Sequence, residues 1–222
     1  MKKNGKNSFK KSVIFSIIIL VITFVYAIIR YNVIKGIPWQ DLPLFISNKA
    51  IALAAVVFIA LSFVLGPLAR VWPGIFTRFQ YLRKYFGLLG FSLGAVHAFI
   101  SLLIFTPAYY PRFFTDAKLN IIGELSMLFG VISFFIFLLV AISDIPSVER
   151  SMKYDAWLKI QRTGYLALFF VLLHVFVMGF EGWFKPETWP GGLLPISLIA
   201  FIITAITLLS KIVISLFPEV KK

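Results

Sequence analysis

The sequence predicts an all-α integral membrane protein, a single bundle of six transmembrane helices within residues 1–222. Three observations support this fold class. Apolar residues make up 60% of the chain and charged residues only 14%, a balance far outside that of a soluble domain. Six apolar runs each approach the length that crosses the hydrocarbon of a bilayer as a helix. The prolines between the runs fall at or outside the ends of the apolar cores.

The first predicted helix covers residues 13–29 and follows the basic stretch "MKKNGKNSFKK". A basic segment before an apolar core and a small residue is also the pattern of a cleaved signal peptide. Because the apolar run continues to Ile29 and approaches full spanning length, we expect an uncleaved first helix. The second predicted helix, residues 50–65, is the shortest and ends before Pro67.

The other four predicted helices are bounded by prolines or by charged segments. Pro107 follows the third helix, Pro146 follows the fourth, and Pro195 and Pro218 flank the sixth. The fifth helix begins after a stretch of mixed charge. These four helices cover residues 85–105, 121–142, 160–180 and 196–217.

The basic residues predict the orientation of the bundle, since Lys and Arg concentrate in cytoplasmic segments. With the amino terminus inside, 16 of the 22 basic residues fall on the cytoplasmic side. We therefore expect a multi-pass protein of the cell membrane, surrounded by lipid, with both termini in the cytoplasm. The net charge of +13 then reflects topology and not nucleic-acid binding, because the basic residues lie between apolar runs. The outer side receives Arg30, Lys35, Lys49, Arg112, Lys118 and Lys185.

Two absences restrict the chemistry. The chain has no cysteine, which excludes disulfides, thiolate metal sites, iron–sulfur clusters and covalent c-type haem. The sequence also has no glycine-rich nucleotide fingerprint between a strand and a helix. We therefore expect any flavin or nicotinamide chemistry to come from another protein.

Two histidines, His97 and His174, lie inside otherwise uncharged runs of the third and fifth predicted helices. Ionisable side chains at membrane depth are costly and usually face the interior of a bundle. His97 follows Lys84 by 13 residues and His174 follows Arg162 by 12, so both rings lie about 18–20 Å from the inner boundary at the rise of an α-helix. The two imidazoles are therefore expected at nearly the same level, toward the outer leaflet.

The residues on the same helical faces as the histidines are mostly small. At about 100° per residue, the face of His97 carries Gly90 and Gly94. Facing imidazoles with room for a flat macrocycle suit the axial ligation of one b-type haem. The competing interpretation is close helix packing, with each histidine hydrogen-bonded to a neighbouring helix; zinc is disfavoured because its sites usually need at least three protein ligands. The face of His174 carries Gly164, Ala167 and Phe170.

The segments "LRKYFGLLGFSLGAVHAFISL" and "AISDIPSVERSMKYDAWLKIQRTGYLALFFVLLHVFVMG" resemble the ferric reductase-like transmembrane domain family. Within it, the likeness is closest to the small bacterial branch that includes the haem-binding membrane subunit of the periplasmic methionine sulfoxide reductase system. The resemblance implies a six-helix cytochrome b of the bacterial inner membrane, with His97 and His174 matching the family's haem ligands. It also implies an electron-transport role as part of a membrane oxidoreductase.

One departure from the family pattern concerns a second haem. Many members carry a further histidine on each of these helices, whereas here Gln161 occupies the fifth-helix position and Arg83 or Lys84 stands near the third-helix one. The sequence therefore predicts one haem. Either a quinol or a flavin docks in the cytoplasmic half near Trp157, Gln161 and Arg83, or electrons enter from the outer side. The expected acceptor is an extracytoplasmic reductase subunit or a ferric substrate.

Several polar residues allow two interpretations each. Glu124 relays a proton or reaches to the interface, and Gln161 binds a quinone or caps the interface. Arg112, Lys118 and Lys185 pair with haem propionates or contact lipid and solvent. The function of a different class that the sequence allows is a multi-pass transporter or assembly protein, with His97 and His174 on a proton or metal path.

Overall fold

The computed structural model describes the backbone of residues 2–216 and the side chains from residue 10 onward. Within that range, six helical segments are long and apolar enough to cross a membrane, which confirms the predicted fold class at that level. Met1, the side chains of Lys2, Lys3 and Lys6, and residues 217–222, including Phe217, Lys221 and Lys222, lie outside the description. The six spans, numbered in chain order, are Lys10–Ile34, Trp39–Val71, Leu82–Ile104, Ile121–Ser143, Tyr154–Trp183 and Pro190–Leu216.

The helices that build the spans run beyond most of the predicted bounds. Helix α1 (Lys2–Ile28) continues into a π-helical segment, Ile29–Ile34, and a second π-helical segment, Leu42–Ile46, leads into α2 (Ser47–Val71). The third, fourth, fifth and sixth spans contain α4 (Leu82–Ile104), α5 (Ile121–Ser143), α7 (Tyr154–Trp183) and α8 (Ile196–Leu216), and the short helices α3 (Pro73–Phe76) and α6 (Pro146–Ser151) lie in connections.

The loop between the third and fourth spans contains the strands that the structure describes. Strands β1 (Phe114–Thr115) and β2 (Lys118–Leu119) pair antiparallel, with Phe114 opposite Leu119. Asn120 then caps α5, because its side-chain oxygen accepts a hydrogen bond from the backbone N–H of Gly123 at 3.0 Å. Single 3-10 turns occupy the other connections, at Trp39–Asp41, Thr77–Phe79, Pro111–Phe113, Pro186–Thr188 and Pro190–Gly192.

The second helix corrects the expectation that Pro67 ends it, since α2 continues through this proline to Val71. A proline inside a helix has no N–H to donate to the carbonyl four residues earlier, which here belongs to Phe63. The hydroxyl of Tyr165 on the fifth span donates a hydrogen bond to that carbonyl at 3.2 Å. A side chain from another span therefore satisfies the group that the proline leaves unpaired, which is how prolines are accommodated in membrane helices.

The spans pack as two pairs. The second packs against the third and the fourth against the fifth, while the sixth contacts both the second and the fifth. The first span packs against the second. We call the end of the bundle near Val71, Leu82 and Tyr154 the basic face, because Arg70, Arg83, Lys84 and Arg162 lie there, and the other end the opposite face.

Candidate functional site

His97 is held by the second span and by its own helix. Its Nδ1 lies 2.8 Å from Oδ1 of Asn48 and 3.4 Å from Oγ of Ser101. Nδ2 of Asn48 donates to Oγ of Ser101 at 2.9 Å, which fixes the amide so that its oxygen faces the ring. Since an amide oxygen only accepts hydrogen bonds, Nδ1 of His97 carries the proton, and Nε2 has the free lone pair.

His174 is held by the fourth span in an equivalent way. Its Nδ1 lies 2.8 Å from the backbone carbonyl oxygen of Ser126, and Oγ of the same serine lies at 3.3 Å. The carbonyl oxygen accepts from Nδ1, so the proton is again on Nδ1 and Nε2 is left with its lone pair. Gly130 permits this approach, because a Cβ at that position would stand 3.1 Å from Nδ1.

The two rings lie in the interior between the paired spans. The third and fifth spans share no extended packing surface over the residues that the structure describes. A Cβ at Gly94, three residues before His97, would meet nothing within 4 Å. Each hydrogen bond that the described residues make to either ring involves Nδ1, so both Nε2 atoms are available to a ligand.

The other residues predicted to line a cofactor have mainly packing contacts. A Cβ at Gly90 would lie 2.7 Å from Cγ1 of Ile59, and one at Gly164 would overlap the ring of Phe63, so both glycines admit side chains of the second span. Ala167 is fully buried beside Leu168. Phe170 packs near Phe129, with 6.2 Å between ring centroids. Of the small residues singled out on these faces, Gly94 is the one with open space beside it.

The basic face contains a cavity of about 680 Å³ between the second, third, fourth, fifth and sixth spans. It is lined by Trp157, Gln161 and Arg83, the residues that the sequence associates with a donor. Gln161 is already engaged: its amide nitrogen donates to Oγ of Ser143 at 3.0 Å and to Oδ1 of Asp144 at 2.9 Å. The side chain of Gln161 therefore joins the fifth span to the end of the fourth.

Charged groups around this cavity are predominantly basic. Lys84 pairs with Glu149 at 2.9 Å between Nζ and Oε2. Burial raises the pKa of the Asp144 carboxyl, and the charge of Lys84 acts in the opposite direction. The five basic side chains at the cavity wall are Arg70, Arg83, Lys84, Arg162 and Lys211.

At the opposite face, the structure separates the predicted propionate partners. Arg112 donates to the carbonyl oxygen of Val177 at 3.3 Å and lines a pocket between His174 and the opposite face. Lys118 and Lys185 are exposed and do not line that pocket. Glu124 is exposed as well, which agrees with the interfacial interpretation of this residue.

Two tryptophans near this face make specific hydrogen bonds within the bundle. Trp183 is buried and its Nε1 donates to Oγ of Ser197 on the sixth span at 3.0 Å. Trp189 donates to the carbonyl oxygen of Gly182 at 2.8 Å and lines the pocket. Both side chains therefore fix the packing of the connection between the fifth and sixth spans.

The sequence identified both histidines. It did not identify their hydrogen-bond partners, Asn48 and Ser126, and it gave Arg30 and Lys49 no role beyond topology. Asn48 lies 49 residues from His97 and Ser126 lies 48 residues from His174, so neither spacing gives a local signal. Lys49 lies over the ring of Phe45, 4.2 Å from its centroid, and Arg30 is only 6% exposed. A signal was present for Arg30 in one respect, since it is a charged residue that directly follows an apolar run of spanning length.

Comparison with known proteins identifies the class of protein to which this bundle belongs. The sequence profile described as "Ferric reductase like transmembrane component" matches residues 50–172, more than half of the chain; the match includes His97 and ends two residues before His174. The chain belongs to this family. The family supports a role in electron transfer within a membrane.

Two known proteins are similar to the chain over a longer stretch than the profile matches. Both are described as "Metalloreductase STEAP2". The human protein is 25% identical over 205 residues and the mouse protein is 25% identical over 206. Each alignment covers 80% of this chain and 42% of the relative, so the chain spans less than half the length of these relatives. No group of three or more His, Cys, Asp or Glu side chains that could hold a metal ion occurs among residues 10–216.

Proposed function

We propose that the protein is a b-type cytochrome that passes electrons through a membrane, with one haem between the third and fifth spans. The observation that carries the proposal is the hydrogen bonding of the two histidines. In each, Nδ1 is hydrogen-bonded to an oxygen and Nε2 is left for a metal. Hydrogen bonding of the second ring nitrogen is the usual arrangement around metal-ligating histidines, because it fixes the ring and its tautomer. The free space at Gly94 is compatible with a flat cofactor in this gap.

Haem iron ligated by two imidazoles supplies one-electron redox chemistry. The residues of this chain would hold it in three ways. His97 and His174 would hold the iron through Nε2, Asn48 and the Ser126 carbonyl would keep both rings in place, and the packed rings of Phe129 and Phe170 beside the fifth span would help to exclude water. Gln161, bonded to Ser143 and Asp144, supports a single haem, because the family's second fifth-span ligand position is occupied by an engaged amide.

The donor in this proposal docks in the cavity at the basic face, which we assign to the cytoplasm from the distribution of basic residues. A volume of about 680 Å³ is in the range of small-molecule sites. The aromatic and cationic walls suit a quinol or the reduced flavin of a cytoplasmic partner. The acceptor lies beyond the opposite face and is an extracytoplasmic reductase subunit or a ferric substrate, in line with the name metalloreductase carried by the relatives. The resemblance to the methionine sulfoxide reductase membrane subunit favours the first of these acceptors, the extracytoplasmic reductase subunit.

An absorption spectrum tests the proposal directly. We expect protein purified in detergent from haem-replete cells to show a low-spin b-type spectrum in the dithionite-reduced minus oxidised difference, with one haem per chain. His97→Ala or His174→Ala should abolish that spectrum, since loss of one axial ligand leaves the iron five-coordinate or unbound. Gln161→Ala serves as the control and should keep the spectrum, while slowing reduction by a quinol analogue if a quinone binds beside it.

Two results would contradict the proposal. If the purified protein is colourless and stays empty after reconstitution with haem, the chain does not bind haem. A haem-to-protein ratio near two, with one haem retained in the double histidine variant, would show that another ligand holds iron.

A further inference from the structure

The opposite face contains a pocket of about 300 Å³ that the proposed electron path does not use. Its walls come from the end of the first span, the outer end of the fifth span and the connection between the fifth and sixth spans. Three of the lining residues are basic, Arg30, Lys35 and Arg112, and no Asp or Glu lines it among the residues described. The pocket is therefore a concentration of positive charge at the edge of an apolar bundle.

Arg30 is the buried member of this group. It is 6% exposed, its Nη1 donates to the carbonyl oxygen of Leu193 at 2.5 Å, and its Cζ lies 5.4 Å from the centroid of the Tyr31 ring. Its Nε is buried and has no hydrogen-bond partner. A buried donor without an acceptor costs about 1–3 kcal/mol, and more when the group is charged. Arg30 therefore brings to the pocket wall a guanidinium whose donors the described residues do not fully use.

The other two cations are held less tightly. Arg112 extends over the ring of Phe113 and lies 3.8 Å from Glu181, measured between Nη2 and Oε2. Lys35 is exposed. Among the described residues, Glu181 is paired with one of these cations and is itself half exposed, so the three cations of the pocket retain a net positive charge.

The remaining lining residues suggest which kind of anion fits. Met178, Trp189, Pro190 and Pro195 provide apolar contacts beside the cations. A carboxylate on a short hydrocarbon chain matches both features, since a guanidinium binds carboxylates through charge-assisted hydrogen bonds and the apolar walls cover the adjacent methylenes.

The pocket is also close to the space between His97 and His174, which we call the histidine gap. Met178 and Gly182 follow His174 by four and eight residues, so they lie on the same face of the fifth span, about 6 and 12 Å further out at the rise of an α-helix. We infer that this pocket, with Arg30 as its main donor, is a carboxylate-binding site at the outer mouth of the gap. Its carboxylate is supplied either by a haem propionate, which rests on the proposed function, or by a free carboxylate from outside.

Haem affinity tests the first source. Protein freed of haem is titrated with haem b and with haem b dimethyl ester, which lacks the carboxylates, and binding is followed by absorbance. If a propionate occupies the pocket, the native chain should prefer haem b by roughly tenfold, as expected for one charge-assisted interaction of about 1.4 kcal/mol. Arg30→Gln should remove most of this preference, and Arg112→Gln should reduce it while leaving the buried Arg30–Leu193 contact intact.

Calorimetry tests the second source on the same preparations, with and without haem. At low ionic strength, butyrate should bind the native chain and lose its binding in Arg30→Gln, whereas inorganic phosphate should bind more weakly. Lys118→Gln is the matched control in both experiments, because it removes one positive charge from the same face but not from the pocket. A thermal melt of each variant shows whether it is folded.

The outcomes are distinct. A loss of ester discrimination or of butyrate binding in the Arg30 and Arg112 variants, but not in Lys118→Gln, supports the site and identifies the source. Equal behaviour of all variants in both experiments, or binding of phosphate in preference to butyrate, would overturn it. Failure to bind either form of haem contradicts the proposed function alone, and the butyrate titration then still decides whether the pocket binds carboxylates.

Discussion

The side-chain amide of Asn48 makes two hydrogen bonds to the third span, and one of them orients the His97 ring. It is 1% exposed, its nitrogen donates to Ser101, and its oxygen accepts from Nδ1 of His97. A hydrogen bond at Nδ1 raises the electron density that an imidazole offers through Nε2. The strength of the Asn48 contact is therefore expected to tune the redox potential of any iron that His97 ligates.

Asn48→Asp changes this contact with little change of shape. A carboxylate acceptor strengthens the hydrogen bond by about 1 kcal/mol and favours ferric over ferrous iron. Because a one-electron potential moves about 59 mV per tenfold change in equilibrium, we expect the haem midpoint potential to fall by roughly 40 mV. Potentiometric titration monitored by absorbance measures it. Ser101→Ala, which removes the longer 3.4 Å contact, should shift the potential much less, and a potential unchanged in both variants would show that neither contact acts on the iron.

At the scale of helices, the continuation of α2 through Pro67 depends on a hydroxyl from another span. Tyr165→Phe leaves the Phe63 carbonyl without a donor, so it should destabilise the protein by about 1 kcal/mol, given the measured range for interhelical hydrogen bonds in membranes. In a Pro67→Ala background the backbone N–H of residue 67 can satisfy that carbonyl, and the effect of Tyr165→Phe should shrink. Thermal melts in detergent of the native chain, the two single variants and the double variant give this coupling. Equal effects in both backgrounds would mean that the hydroxyl does not substitute for the missing N–H.

Gly90 and Gly94, one turn apart on the third span, form a second matched pair. A Cβ at Gly90 would stand 2.9 Å from the backbone nitrogen of Ile59, whereas a Cβ at Gly94 would meet nothing within 4 Å. Gly90→Ala should therefore separate the second and third spans and cost about 1–3 kcal/mol. Gly94→Ala should leave the melting temperature unchanged or raise it through higher helix propensity, while weakening haem binding if the cofactor lies there. The contrast would be absent if both variants melted alike.

These helices also show where sequence information ends. Apolar length and proline positions predicted the six spans, because the bilayer requires them locally. The prediction that the second helix ends before Pro67 was wrong, because the helix continues with the help of Tyr165, about a hundred residues away in the sequence. Gly90, Gly94 and Gly164 look equivalent in a helical projection, yet the partners that distinguish them belong to other helices. His97 and His174 were recognisable because polar groups are rare at that depth, whereas Asn48 and Ser126 lie in runs where nothing separates them from other small polar residues.

At the scale of the whole molecule, the distribution of charge predicts the direction in which the bundle crosses the membrane. Sixteen of the 22 basic residues belong to segments on the side of the termini, which the positive-inside rule assigns to the cytoplasm. A cytoplasm-dependent reporter fused to the carboxyl end should be active, and a periplasm-dependent one should be silent. Fusions after Lys118, in the loop at the opposite face, should give the reverse. Periplasmic activity at the carboxyl end would invert the proposed path of electrons.

The pairing of the spans has a consequence for how the molecule is made. The second and third spans leave the ribosome before the fourth and fifth, and each pair packs chiefly within itself, while the sixth span, synthesised last, contacts one member of each pair. The amino-terminal pair can therefore pack before its counterpart is synthesised, and the final helix then adds contacts to both pairs. The third and fifth spans have little surface in common, so the haem proposed between them would bind only after both pairs are in place, as a late step of biogenesis.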